Sequence, residues 1–211
     1  MPIVSKKYEF IYYPIPKVAC SSIKANIAKI MEIKLINDHP HSTPFPEIPL
    51  WASAANKYFK FAFVRNPWDR LVSCYKDKIY YCTDHTGKVN AYGDNLPPFM
   101  RRYSCFQKGM PFEDFVKAVS KIPDHAAEAH FISQHTYLEH HGDLVPNFIG
   151  KFENIGEDWG RVCKSIKIKT PSLEHRKKVA DKPYKSFYTD ETIEIVASRY
   201  EKDISMFGYN F

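Results

Sequence analysis

Apolar and polar positions along the chain fall into a recurring rhythm: a short continuous apolar run, a tight polar turn, then a stripe at helical period. Residues 8–13, YEFIYY, form a β-rich run that stops at Pro14 and Pro16. From Ser21 onward Ile23, Ile27, Ile30 and Met31 recur at helical spacing, which makes Ser21 or Ser22 the expected N-terminal cap. Residues 58–64, YFKFAFV, are nearly continuous in apolar and aromatic side chains, as expected of a parallel strand covered on both faces. NPWDRLVSCYKDKI follows at once. Asn66 caps it, Pro67 takes the first helical position where its missing N–H does no harm, and Trp68, Leu71, Val72, Tyr75 and Ile79 form one stripe.

The middle is less regular. Residues 82–110 carry turn formers and scattered aromatics and are expected to wrap the surface or cover a cleft. A short helix is predicted over 111–122, with Phe112, Phe115, Val116 and Val119 inward, then a third strand over 145–155. A weak helix with Gly160 inside it follows that strand. From a cap at Thr189 one long stripe (Ile193, Val196, Ala197, Tyr200, Ile204, Phe207) predicts a single helix ending at Gly208. Alternating strands and helices imply an α/β protein: a three-layer α/β/α sandwich on a central parallel sheet, in one domain over residues 1–211. Ligands of such sheets bind beyond the carboxyl ends of the strands, so the two strand-to-helix turns are the expected functional loops.

Composition adds limits. With 211 residues and 44% hydrophobic content the chain can bury a proper core. Lys+Arg 30 against Asp+Glu 24 gives a formal +6, which favours anionic partners without the excess of a dedicated nucleic-acid coat. The five cysteines are an odd number with no C-x-x-C pair, and no signal-peptide pattern opens the chain. Reduced thiols and a cytoplasmic location are expected. No apolar run approaches the length of a membrane span, and no internal repeat is visible.

The first turn, PIPKVACSS, offers Lys17 and the serines Ser21 and Ser22 at a helix start, where free N–H groups and the positive dipole end suit a phosphate. No glycine occurs in the first eighty residues, so a G-x-x-x-x-G-K-[ST] loop for ATP or GTP is not indicated. A solvent-facing lysine beside a serine cap accounts for this segment equally well. In the second turn, FVRNPWDRLVSCYKDK, Arg65 stands where the strand ends and Ser73 lies about two helical turns on.

Taken together, the two segments resemble the PAPS-dependent sulfotransferases, which use 3′-phosphoadenosine 5′-phosphosulfate, in the branch of Golgi carbohydrate sulfotransferases and bacterial relatives. The resemblance covers most of the chain and implies a P-loop-like nucleotide-binding fold. PKVACSS is similar to the 5′-phosphosulfate loop, which implies that Lys17, Val18, Ala19, Cys20, Ser21 and Ser22 hold the phosphosulfate. VRNPWDRLVSCYKDK is similar to the more specific 3′-phosphate motif, which implies the same of Arg65 and Ser73. FIGKFENI and the ending after Thr189 resemble the later strand and last helix. Between them HRKKVADKPYK holds Arg176, Lys177 and Lys178, where relatives close a basic loop over the nucleotide; a solvated charge run is the alternative.

Sulfuryl transfer is an in-line displacement in which charge grows on the leaving phosphate, so Lys17 and helix-end N–H groups aimed there would stabilise the transition state. No metal is expected, since no H-E-x-x-H or carboxylate cluster occurs. The attacking hydroxyl needs a proton acceptor, which points to histidine. His39 and His41, in a proline-studded loop, resemble the H-x-H of uronic-acid 2-O-sulfotransferases, whose histidines are implicated as the base. His41 is favoured over His39. The cluster His125, His130, His135, His140 and His141 has a spacing that does not align ligands on one helix face, so no zinc site is indicated. By resemblance, His130 and Gln134 are candidates for the acceptor site.

The expected partners are therefore a nucleotide sulfate donor, leaving as 3′-phosphoadenosine 5′-phosphate (PAP), and a hydroxyl acceptor, with no nucleic acid and no membrane span. Golgi members begin with a membrane anchor, whereas this chain enters its first strand almost directly from Met1. Its shortness leaves little material for an extended acceptor groove and directs attention to a small glycan, a lipid-linked sugar or another small alcohol. Two other readings stay open: a PAP-binding module without turnover, and a basic nucleic-acid binder whose affinity would fall steeply with salt.

Overall fold

Six residues, 59–64, make the backbone of the sheet, and their run of aromatic and apolar side chains is buried from Lys60 to Val64. The computed structural model describes residues 1–54, 57–84, 88–169 and 183–211. In chain order the elements are β1 (Ile3–Ser5), β2 (Phe10–Tyr13), α1 (Cys20–Ile30), α2 (Leu50–Ala54), β3 (Phe59–Val64), α3 (Pro67–Tyr75) and α4 (Phe112–Ser120). Then come β4 (Glu139–His140), β5 (Asp143–Leu144), β6 (Phe148–Lys151), α5 (Ile155–Ser165), α6 (Asp190–Arg199) and α7 (Glu201–Phe207). The chain falls into two compact units, one of Met1–Arg65 with Gln134–Val179, the other of Asn66–Ser133 with Ala180–Phe211.

The first unit holds a four-stranded sheet of order β1-β2-β3-β6. Tyr12 lies opposite Phe61, and Phe61 opposite Phe148, both in parallel register, while β1 runs antiparallel with Ile3 opposite Tyr12. The sheet is therefore mixed and not wholly parallel as the strand–helix alternation predicts. The reason is the short link over 6–9: four residues can make a hairpin but not the crossover a parallel neighbour needs. That link also moves the start of β2 to Phe10, because Glu9 sits at φ 50°. The outer edge of β1 is covered, with Val4 N–H donating to Pro46 O at 2.8 Å and Ile48 N–H to Pro2 O at 3.1 Å.

Alternation along β3 places Phe59, Phe61 and Phe63 on one face. Phe61 stacks on Tyr12 with centroids 5.2 Å apart and meets Trp159 of α5 edge-on at 6.4 Å. Gly150 of β6 is required there: a Cβ would lie 2.6 Å from Phe63 Cε1 and 3.0 Å from Asp158 Cβ. The Asp158 carboxylate accepts from Lys151 N–H at 2.8 Å and ties α5 to the end of β6. A second small sheet, β4 with β5, is a hairpin that the polar sequence conceals; both its loop residues, His141 and Gly142, have positive φ as a type I′ turn requires.

In the second unit the stripes of α3, α4 and α6 meet: Trp68, Leu71, Val72 and Tyr75 pack in one cluster with Phe112, Phe115, Val116, Val119, Val196 and Tyr200. Asn66 caps α3 as its sequence predicts, its side-chain oxygen accepting from Trp68 N–H at 3.1 Å, with Pro67 in the first turn. Beyond Tyr75 the helix loosens into a π-helical turn over Lys76–Tyr80. Thr189 and Thr192 form a reciprocal capping box on α6. The single long C-terminal helix is in fact two, parted at Tyr200 (φ −118°, ψ 25°), whose hydroxyl donates to Phe131 O at 2.6 Å. No helix among the described residues is long and apolar enough to cross a membrane.

Candidate active site

The turn between β2 and α1 is built without glycine, yet two of its residues take left-handed backbone, Lys17 at φ 69° and Ala19 at φ 50°. Each such non-glycine residue stores about 1–2 kcal/mol. Val18 between them is buried and pins the loop to the core. Left-handed residues in a turn gather successive N–H groups on one side, the geometry of an anion-binding nest. Helix α1 begins at Cys20 behind an Ala19 cap that offers no side-chain oxygen. Ser21 and Ser22 thus lie inside its first turn and are not the caps the sequence predicts. No acid sits in that first turn, whereas α3, α4, α5 and α6 each carry one or two in theirs. The positive end of α1 thus has no carboxylate in its own first turn.

Arg65, the first residue beyond β3, comes back to this loop across 48 positions of sequence: its Nη1 donates to the Lys17 carbonyl at 3.0 Å. The guanidinium lies over the Phe152 ring, 4.2 Å from its centroid. Gln134, fully buried, grips the Arg65 backbone from the other side, Oε1 accepting from Arg65 N–H at 2.9 Å and Nε2 donating to Arg65 O at 2.8 Å.

The histidine loop reaches the same place. His41 Nε2 is 2.7 Å from Ser21 Oγ and 3.8 Å from Cys20 Sγ. His39 points its backbone inward: its carbonyl accepts from Thr43 Oγ1 at 2.9 Å, and Thr43 Oγ1 accepts in turn from Ile36 N–H at 3.0 Å. The buried Thr43 thereby braces the turn over 36–43 that presents His41. Lys17, Ser21, His41 and Arg65 are so brought together within the first unit, from three separate stretches of sequence.

The model of the Sulfotransferase family matches residues 2–210. The chain belongs to that family. Among curated proteins, this sulfotransferase-family chain is 25% identical to carbohydrate sulfotransferase 10 of Xenopus laevis, over 98% of its own length and 66% of that protein. It is 28% identical to carbohydrate sulfotransferase 14 of Mus musculus over 78% and 46%, and 26% identical to carbohydrate sulfotransferase 11 of Rattus norvegicus over 99% and 66%. The chain thus spans between about half and two thirds of the length of these relatives. No solved structure matches it significantly.

Ser73 and His130, also singled out in this sulfotransferase-family sequence, belong to the second unit. Ser73 is half-buried in the middle of α3. His130 has its Nδ1 2.7 Å from Glu128 Oε2 and its ring stacked on Phe99 at 5.4 Å. Burial pushes the Glu128 carboxyl up, but His130 and neighbouring N–H groups outweigh this and hold it below its ordinary value. Arg176, Lys177 and Lys178 lie outside the described residues. No group of three His, Cys, Asp or Glu side chains suited to a metal occurs among the described residues. Phe152 and the Gln134 grip escaped sequence reasoning because each meets Arg65 from far along the chain, and Thr43 because its bonds depend on the conformation of the turn over 36–43. The FENI run containing Phe152 was the one local signal.

Proposed function

We propose that the chain transfers a sulfuryl group from PAPS to a hydroxyl of a carbohydrate or other small alcohol. The observation that carries this is the Arg65–Lys17 hydrogen bond, which joins the two strand-end turns at an acid-free helix N-terminus. In this reading the N–H groups of residues 17–22 and the Lys17 ammonium receive the 5′-phosphosulfate, and Arg65 offers charge to the 3′-phosphate. As the bond from sulfur to the bridging oxygen breaks, that oxygen becomes a phosphate anion of PAP, and Lys17 answers the growing charge. The acceptor oxygen forms its bond to sulfur on the opposite side. Its proton goes to His41 Nε2, the atom that now lies 2.7 Å from Ser21 Oγ.

Ser21 therefore has two partners to choose from. A donor phosphosulfate that attracts its hydroxyl releases Nε2 for the acceptor, which ties base activation to donor binding. The relatives named as carbohydrate sulfotransferases support a sugar hydroxyl as acceptor class. The test is sulfate transfer from labelled PAPS to a panel of glycans and simple alcohols. Turnover that falls about 100-fold or more in Lys17→Ala supports the proposal. PAP binding with no turnover on any acceptor would leave a nucleotide-binding module in its place.

A further inference from the structure

Arg65 stands just beyond the last paired position of β3, where Val64 faces Lys151. Gln134 bonds both the backbone N–H and the C=O of Arg65 with one carboxamide, at 2.9 and 2.8 Å. A carboxamide suits this because one end accepts and the other donates, which an ionised carboxylate cannot do. Gln134 is fully buried, at 0% exposure. What it holds matters: the Arg65 guanidinium, clamped on Phe152, donates to the carbonyl of Lys17, the left-handed residue that shapes the first turn. Fixing that carbonyl fixes the plane of the peptide between Lys17 and Val18, and with it the Val18 N–H.

We infer that Gln134 is a positioning residue for donor binding, acting through Arg65 on the Lys17 turn. The inference rests on the reading of that turn as the donor cradle. Gln134→Leu removes both hydrogen bonds to the Arg65 backbone and with them this hold on the residue that donates to the Lys17 carbonyl. Gln134→Glu keeps the acceptor but, when ionised, sets a carboxylate oxygen against the Arg65 carbonyl. Protonation restores the donor, and burial raises the pKa of such a carboxyl toward the accessible pH range.

The test is calorimetric titration of PAP, with KM for PAPS and thermal midpoint, in wild type, both Gln134 variants and Val162→Ala. Val162, buried in α5, makes none of the hydrogen bonds named above and serves as a core-truncation control. The expected result is PAP affinity at least tenfold weaker in Gln134→Leu, with Val162→Ala at wild-type affinity. In Gln134→Glu the deficit relative to wild type narrows from pH 8 to pH 5.5, a readout available even where Gln134→Leu does not fold. Gln134 variants that lose thermal midpoint but keep PAP affinity and KM within twofold at every pH overturn the inference alone. A wild type that binds no PAP overturns the donor reading and this inference with it.

Discussion

Single side chains in the first unit answer to different forces, and their substitutions should separate accordingly. At Gly150 the force is steric: a methyl group would press on the Phe63 ring at 2.6 Å in a packed aromatic layer. Gly150→Ala should destabilise the protein by about 1–3 kcal/mol in urea unfolding, with no direct effect on donor affinity. At His41 the force is chemical. The imidazole is exposed, with Nε2 2.7 Å from Ser21 Oγ, so truncation removes a proton acceptor and little packing. His41→Ala should lower kcat by about 10²–10⁴ while PAP affinity stays within twofold. Equal kcat in the variant would move the base to another residue. The sequence singles out Lys17 by its place before a helix start and His41 by the H-x-H resemblance, and it names Gln134 only for the acceptor; the Gln134 contact with Arg65 is not visible locally, because it spans 69 positions.

Elements were legible where one local signal decides them. Asn66-Pro67 marks the start of α3 and Thr189 that of α6, since a cap needs only its own first turn. Elements that depend on a distant partner were not: β1 is three residues long and exists by pairing with β2, and the α6–α7 break at Tyr200 interrupts a stripe whose period continues across it. The end of α6 carries its own prediction. Arg199 donates to the Asp124 carboxylate and to Ser133 Oγ, joining the helix end to the 3₁₀ turn Asp124–Ala126. Burial raises the Asp124 carboxyl, but Arg199 and Ser133 outweigh it and hold it below the ordinary value. A depressed folded pKa means the carboxylate stabilises above its unfolded value, roughly 3.9, and loses that effect as pH falls through the folded one. Asp124→Asn should therefore cost about 2 kcal/mol at pH 7, with the gap to wild type closing below roughly pH 4 in denaturation series. A gap that is flat with pH would show the ion pair to be without effect.

The family match runs over nearly the whole molecule, so the donor is the property to test on the intact chain. A formal charge of +6 attracts any polyanion, which makes simple nucleotide binding a poor discriminator. ATP and PAP carry similar charge, whereas AMP has the adenosine and 5′-phosphate of PAP without the 3′-phosphate. Attraction by net charge alone would let ATP stabilise as well as PAP and would fade at 0.15 M salt, where the screening length is about 8 Å. The proposed donor site asks for more, because it assigns Lys17 to the 5′-phosphosulfate and Arg65 to the 3′-phosphate and so requires a ligand with anions at both ends. PAP at 100 times its Kd should stabilise the folded chain by about 2.7 kcal/mol, on the order of 5–10 °C in thermal midpoint for a chain of this size. AMP should give a much smaller shift at the same concentration, and ATP no more than AMP. On the proposed reading Arg65→Ala should abolish the difference between PAP and AMP, since it would remove the charge offered to the 3′-phosphate together with the bond to the Lys17 carbonyl. Equal shifts for ATP and PAP in wild type would reduce the two turns to a generic basic surface and withdraw the donor assignment.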